Sequence, residues 1–401
     1  IGVLSANGGR FLPVLTCAGR GLRPTPQPIH NAHMQDNASI ERLLTRKTEL
    51  HSSEIERAPR APLAAGEALL KIDRVAVTTN NITYAVFGDA MQYWSFFPTG
   101  REGFGHVPVW GFADVVESTV EGLAPGERFY GYFPIASHLR VQPTRVSSRG
   151  FYDGAPHRAE LTSAYNHYTR CSTDAVYDRE LEPYQMLLRP LIITSFFGAD
   201  FLEDNAFFGA TQLLISSASS KTAYGTAFCL SHVRGVELVG LTSARNREFT
   251  QSLGCYQRVI TYEELQQLPA ATRTVYVDFA GDTALRERVH RHFGDALAYD
   301  CVAGSAQNSD PHHLHVAGLP GPQPKLYFAP VQIKKRNTEW GYDQVNQRFG
   351  AAQRAFIQRV ADRERPWMKL VEHRGLSGAA QLLSDMAQGR VSPLDGHVVQ
   401  L

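Results

Sequence analysis

The feature that most constrains this chain is an alternation of short apolar strands and helix-length segments in its second half. Gln212-Leu-Leu-Ile-Ser reads as a buried strand and residues 221–233 as a helix. Val236-Glu-Leu-Val-Gly-Leu is a second strand, followed by a helix over 246–253. Thr274-Val-Tyr-Val-Asp-Phe, a helix over 282–293, Ala296-Leu-Ala-Tyr-Asp-Cys and Lys325-Leu-Tyr-Phe continue the series. Unbroken apolar strands separated by helices predict a parallel sheet covered on both faces, a doubly wound α/β fold.

The first half follows a different pattern. Leu69-Leu-Lys-Ile-Asp-Arg-Val-Ala-Val-Thr, Val107-Pro-Val-Trp-Gly-Phe-Ala-Asp-Val-Val-Glu-Ser, Glu127-Arg-Phe-Tyr-Gly-Tyr-Phe and His138-Leu-Arg-Val-Gln-Pro lie between Gly/Pro turns. Short strands so punctuated predict a compact β-barrel. Residues 150–182 are polar and aromatic without periodicity and read as a long loop, a candidate substrate lid. An amphipathic helix over about 342–362 follows the sheet, and the ending from Gly389 reads as a turn and a strand that pairs back onto the barrel.

A chain of 401 residues accommodates two domains. Residues 1–50 are expected to be a disordered or non-native leader: the first methionine is Met34, and residues 1–33 are Gly/Pro/Arg-rich. Residues 51–185 and 331–401 then make the barrel, or substrate, domain, and 186–330 the nucleotide-type domain. With 40 Lys+Arg against 39 Asp+Glu, the charge gives no reason to expect nucleic acid or an anionic membrane as partner. The sequence contains no apolar run of membrane-spanning length. Its five cysteines are widely spaced without a CxxC, which argues against a disulfide framework and for a reducing, cytoplasmic setting.

A barrel, then a nucleotide-type sheet, then a return strand resembles the medium-chain dehydrogenase/reductase superfamily, in its zinc-free quinone-reductase and enoyl-reductase branch. The residues that carry the resemblance are Ala68-Leu-Leu-Lys-Ile-Asp-Arg-Val-Ala-Val-Thr-Thr-Asn-Asn, the turn Pro125-Gly-Glu-Arg-Phe-Tyr-Gly and the closing Gly389-Arg-Val-Ser-Pro. Leu188-Arg-Pro-Leu-Ile-Ile-Thr-Ser-Phe-Phe-Gly and Ser217-Ala-Ser-Ser-Lys-Thr-Ala are similar to an uncharacterised, mainly bacterial subfamily. The resemblance implies a GroES-like β-barrel domain joined to a Rossmann domain. It also implies a nicotinamide-dependent reductase of a polarised C=C or C=O, and dimerisation through sheet edges.

Where that branch carries a glycine-rich turn, this chain has Ser217, Ala218, Ser219, Ser220, Lys221, Thr222 and Ala223. Glycines allow close approach of a pyrophosphate, and serines take some of that room. Helix N–H groups, hydroxyls and an ammonium still favour an anion. A plain capped helix start is the other reading, with the cofactor site decayed. At the end of the next strand Ser243, Arg245 and Arg247 stand where an NAD-selective fold places an acid, so NADPH is the expected cofactor. By the resemblance, Thr194 and Ser195 lie near the nicotinamide.

Zinc is not expected, since the resembling positions hold Asn81-Ile-Thr-Tyr and Trp110-Gly-Phe-Ala in place of Cys and His-Glu, and the run from Pro311 to His315 is a weak ligand set. The resemblance places Tyr84 as catalytic acid and Asn81 as a carbonyl or ribose ligand; a core tyrosine is the competing reading of Tyr84. Tyr165, His167, Tyr168 and Arg170 in the candidate lid, with Trp94 in an apolar wall, suggest a hydrophobic or aromatic small molecule. The expected function is an NADPH-dependent, zinc-independent reductase of an activated alkene, quinone or carbonyl compound. The alternative is a cofactor-free hydrolase or lyase using Ser217 or Ser220 with His167. No G-x-S-x-G elbow is present to support it.

Overall fold

The computed structural model describes residues 39–304, 318–392 and 394–401. The expectations for residues 1–33 and for the histidines near 311–315 lie outside the described residues. Residues 39–50, expected as leader, instead form β1 (Ser39–Arg46) and the start of β2 (Glu49–Pro59), an antiparallel pair. Cross-strand ion pairs Arg42–Glu56, Arg57–Glu41 and Arg46–Glu54 tie the two strands together, and Leu43 and Leu44 are buried. The charged residues of this segment are therefore cross-strand partners in a hairpin.

The barrel continues with β3 (Ala68–Val77), helix α1 (Thr79–Val86), β4 (Phe104–Gly105), β5 (Val109–Ser118), β6 (Arg128–Phe133), β7 (His138–Val141), β8 (Pro143–Ser147), β9 (Gly150–Asp153) and β10 (His167–Arg170). The span 150–182 is thus not a lid loop, because β9 and β10 pair within the barrel sheet and β10 also pairs with β6. Gly150 makes this possible. Its φ is +133°, and a Cβ there would fall 1.9 Å from the Tyr168 carbonyl oxygen. Phe151 stacks on Tyr168 at 5.0 Å, and buried Arg158 pairs with Asp153 while Asn166 Nδ2 donates to the Arg158 carbonyl, so the polar residues of this span are internal ties.

Helix α2 (Glu182–Asp204) crosses to the second domain. Its first turn is clamped to the barrel: Glu182, fully buried, accepts from Arg128 Nε (2.6 Å) and Nη2 (2.8 Å) and from Tyr177 Oη (2.7 Å). The second domain holds β11 (Gln212–Ile215), α3 (Lys221–Cys229), β12 (Glu237–Thr242), α4 (Arg247–Ser252), β13 (Arg258–Thr261), β14 (Thr274–Asp278), α5 (Thr283–Phe293), β15 (Leu297–Val302) and β16 (Lys325–Leu326). Its strands are parallel in the order β13-β12-β11-β14-β15-β16, and β11 and β14 are buried along their whole length. This is the doubly wound order that the alternation predicts.

The chain returns through α6 (Ala329–Trp340), α7 (Tyr342–Val360), β17 (Lys369–Arg374), α8 (Gly375–Ala387) and β18 (Asp395–Gln400). Strand β18 pairs antiparallel with β3, Val398 opposite Ala76, and so closes onto the barrel sheet as expected of a return strand. The parallel partner β17 is an addition that the sequence pattern does not announce. A GroES-like barrel domain and a Rossmann domain make up the described fold.

Candidate functional site

In a sheet of this order the connections lead away in opposite directions from the neighbouring strands β11 and β14, and beyond the carboxyl ends at such a switch point open α/β sheets bind their ligands. The loops on either side are pinned from below. Asp278 Oδ1 accepts from Ser216 Oγ (2.8 Å) and from the N–H groups of Ala280 (2.9 Å) and Gly281 (3.1 Å), and its Oδ2 accepts from Arg286 Nη2 (2.5 Å). His290 and Asp300, also fully buried, extend this network at 2.8 Å.

The serine-rich turn above it is tight. Ser217 takes φ +49°, and its carbonyl accepts from the Ser220 N–H at 2.7 Å. Tyr256 Oη donates to the Ala218 carbonyl at 3.0 Å, and Ser219 Oγ accepts from Asn246 Nδ2 at 3.1 Å. Ser220 caps α3, its Oγ accepting from the Ala223 N–H. The Thr222 carbonyl accepts from Ser195 Oγ at 2.8 Å, which makes fully buried Ser195 a tie between α2 and α3 and corrects its assignment to the nicotinamide. Thr194 is half-buried on the neighbouring position of α2. Lys221 also departs from expectation. Its Nζ donates to the Asp395 carbonyl at 3.1 Å on β18, and burial pulls the ammonium down to about 8 against the attraction of Asp395.

At the end of β12 the Ser243 Oγ is buried with no hydrogen-bond partner in the chain, and Arg245 stands exposed beside it. Arg247 is instead engaged by Glu264 at 2.8 Å. Ser243 and Arg245 thus stand two residues apart just beyond β12, while Arg247 is tied to Glu264.

A second group of residues gathers where α1 and the barrel meet α2. Tyr84 lies on α1, in place of the expected loop, and packs with Tyr93 (4.6 Å), Tyr132 (5.9 Å) and Tyr165 (6.2 Å). Burial, with Tyr93, pushes its phenol up to about 12, partly offset by Trp110, Tyr165 and Asn80. Trp110 on β5 stacks on Tyr130 at 5.4 Å and lies 5.0 Å from Tyr132. The indole Nε1 of Trp110 and the phenols of Tyr130 and Tyr132 are buried without a partner of normal hydrogen-bond geometry, although the Tyr84 phenol lies close enough for the indole dipole to favour its ionised form. A small cavity of about 10 Å³ opens here, lined in part by Asn80, Asn81, Trp110, Met186 and Pro190.

Five expected site residues serve the framework instead. Asn81 closes the capping box of α1: its Oδ1 accepts from the Thr78 N–H at 2.6 Å, and its Nδ2 donates to the Pro108 carbonyl at 2.8 Å. Tyr168 is fully buried and donates to the Tyr132 carbonyl at 2.8 Å. Arg170 pairs with Glu127 and donates to the Gly122 carbonyl, on the far turn of β5–β6. His167 packs against Tyr152 at 4.7 Å with the rings tilted, and burial draws it down to about 4. Trp94 fills the space over Gly88 and Gly105 in the barrel core. Of the candidate lid, only Tyr165 joins the aromatic group. Trp110, Tyr130 and Tyr132 were not expected there; their signal is the aromatic-Gly-aromatic spacing of Trp110-Gly-Phe and Tyr130-Gly-Tyr, which sets rings on one strand face.

A family model described as "Protein of unknown function (DUF2855)" matches residues 75–392. The chain belongs to this family. No curated protein matches this DUF2855 member. Among solved structures it is similar to the quinone oxidoreductase from Coxiella burnetii (12% identity, TM-score 0.53, covering 90% of this chain and 99% of that one). It is also similar to the yhdH oxidoreductase from Salmonella enterica in complex with NADP (11%, 0.51, 90% and 99%). CurA from Vibrio vulnificus is a third such structure (12%, 0.50, 90% and 98%). At these identities the likeness is one of fold. Among the described residues no group of three metal-ligating side chains gathers, and no helix is long and apolar enough to cross a membrane.

Proposed function

We propose that this DUF2855 protein is a reductase that uses NADPH, without zinc, to reduce an activated alkene, quinone or carbonyl compound. The observation that carries the reading is Ser243, whose buried hydroxyl lacks a partner in the chain at the end of β12, with Arg245 exposed beside it. A buried hydroxyl without a partner costs about 1–3 kcal/mol, so one at a ligand-facing edge points to a ligand. The residues fit a dinucleotide phosphate: Ser243 and Arg245 would hold the 2′-phosphate. The first turn of α3, with the hydroxyls of Ser217 and Thr222, would face the pyrophosphate. Lys221 would steady the turn by its bond to Asp395 rather than touch phosphate directly.

Bound NADPH would supply a hydride. The chain's own contribution is then an enclosed aromatic site with one acid. Burial raises the Tyr84 phenol to about 12, a weaker acid than a free phenol, so it stays protonated at neutral pH, orients the substrate and gives its proton only to a strongly basic product anion. Four described cysteines are free; burial pushes Cys171, Cys229 and Cys255 up to about 12 and raises Cys301 as well, in keeping with inert thiols in a reducing cytoplasm. The reading takes a small planar molecule as substrate and a homodimer as assembly, with neither nucleic acid nor membrane as partner. A hydrolase is less well served, since Ser220 caps a helix and His167 is engaged with Thr169 and Tyr152. The test is consumption of NADPH by purified protein offered quinones and enones, with and without a chelator. Chelator-insensitive consumption is expected; no consumption with any of them overturns the reading.

A further inference from the structure

Helix α2 carries a proline in its interior. Pro190 has no N–H, so the Met186 carbonyl one turn back receives no helical bond, and a helix bends most readily at such a place. Met186 and Pro190 both line the cavity between α1, β5 and α2. The helix is gripped separately on either side of that point. Towards the barrel, Glu182 is held by Arg128 and Tyr177, and Arg189 Nη1 donates to Asp174 Oδ2 at 2.5 Å. Towards the Rossmann domain, Ser195 Oγ donates to the Thr222 carbonyl on α3 at 2.8 Å. Asp200 accepts from Gln332 Nε2 (2.5 Å) and Arg336 Nε (2.7 Å) of α6. Residues 190–194 lie between the two sets of grips.

The cavity measures about 10 Å³, room for one water-sized group. A nicotinamide or a substrate enters only if the barrel wall and the α2 wall part. A further bond ties the two domains: Lys221 Nζ, at the start of α3, donates to the Asp395 carbonyl at 3.1 Å, and Asp395 opens β18, which pairs with β3 of the barrel. We infer that α2 is the hinge of the site, bending at Pro190 to part the two domains, and that the Lys221–Asp395 bond is the latch that holds it shut. What enters rests on the reductase reading; the bend itself does not. Loss of the latch removes a bond from a charged donor that only the shut form makes, which favours opening about tenfold or more. Alanine at 190 restores an N–H for the Met186 carbonyl, so that bending there costs a helical hydrogen bond and opening is disfavoured. The shut form has no room for a nicotinamide, so NADPH binds the open form and shifts the population towards it.

Nitroxide labels on the full-length protein measure the opening by double electron–electron resonance. Exposed Gln251 on α4 is labelled as Gln251→Cys, paired in turn with Glu121→Cys and His51→Cys on the barrel, in a Cys17→Ser, Cys229→Ser background. In Lys221→Met a longer distance should appear, or grow about tenfold in population, in at least one pair. Adding Pro190→Ala should abolish it. Lys221→Met with wild-type distances in both pairs overturns the proposal, and so does a double variant as open as Lys221→Met. Should Lys221→Met fail to fold, Lys221→Ala, which leaves no stem to bury, takes its place. With cofactor, saturating NADPH should lengthen the wild-type distance. Pro190→Ala should bind NADPH about tenfold more weakly, because fewer molecules are in the open form. NADPH bound with unchanged distances, or wild-type affinity in Pro190→Ala, overturns the proposal. Failure of the wild type to bind NADPH would instead sink the reductase reading, and the latch variants report on the bend without cofactor.

Discussion

Replacing Glu182 tests how the barrel holds the helix that carries half of the cavity wall. The Glu182 carboxylate is fully buried and accepts from two guanidinium nitrogens of Arg128 and from Tyr177, with Arg74 Nε at 3.5 Å. Arg128 is also shared by Asp73 (2.6 Å) and Asp114 (2.8 Å). Breaking a buried pair by removing one partner costs about 3–5 kcal/mol, because the other charge is left uncompensated. Glu182→Gln leaves Arg128 two carboxylates and should fall near the low end, about 3 kcal/mol. Arg128→Met leaves three carboxylates with only Arg74 among them and should fall near the high end, about 5 kcal/mol. The double variant should cost well below the sum of the two, since neither charge is then left alone. Urea unfolding of the four proteins measures this, and thermal unfolding should show Glu182→Gln lowered by about 4 °C, the shift expected for a folded chain of this length. A Glu182→Gln variant within 1 kcal/mol of wild type, a reversed order, or strict additivity would refute the reasoning.

Arg245→Ala should weaken NADPH about 10- to 100-fold, the worth of a charge-assisted bond, while NADH is unaffected; equal losses for both in a fluorescence titration would contradict a 2′-phosphate role. Tyr168→Phe removes one neutral buried bond and should cost about 1 kcal/mol in urea with NADPH binding unchanged, and a selective loss of turnover would return Tyr168 to the substrate site. Burial, helped by Arg42, draws His106 down to about 4 against the pull of the Leu43 carbonyl and Glu56. Between pH 6.5 and about 4 the unfolded chain therefore binds a proton that the native one does not. Stability should fall through that window as pH is lowered, by about 3 kcal/mol from this group, and then level off. His167, drawn to about 4 as well, adds to the slope, and His106→Gln should flatten it when urea midpoints are compared across pH.

The doubly wound sheet was legible because strands buried on both faces must be apolar throughout, as Gln212–Ile215 and Thr274–Asp278 are. The return strand could be read for a similar reason: β18 is buried apart from its ends. The segments that sequence reasoning misplaced are held by side-chain pairing rather than by apolar pattern. In β1–β2 alternate Arg and Glu residues pair across the hairpin, and over 150–170 the polar residues Asp153, Arg158 and Asn166 satisfy one another in the interior. Neither arrangement shows in hydrophobic periodicity, which registers a buried ion pair as surface. In the candidate site the residue types were readable but their directions were not. Ser243, Arg245 and Tyr84 sit at a sheet edge and in an aromatic cleft, whereas Lys221 and Arg247, equally suited to phosphate by chemistry, find partners in Asp395 and Glu264 far away in sequence. In the sequence Trp110 stands only as a departure from a metal motif, since the rings it meets, Tyr130, Tyr132 and Tyr165, come from other elements of the fold.

The central claim is that the serine-rich turn and the Ser243–Arg245 edge still hold a phosphorylated nicotinamide dinucleotide. Equilibrium titration of the purified chain with NADPH and NADH, followed by nicotinamide fluorescence, tests it most directly. The account predicts saturable NADPH binding at least about tenfold tighter than NADH, the worth of one charge-assisted bond to the 2′-phosphate. Equal affinity for the two would contradict the role given to Ser243 and Arg245. No binding of either would contradict the claim itself and leave a Rossmann domain whose turn is only a capped helix start.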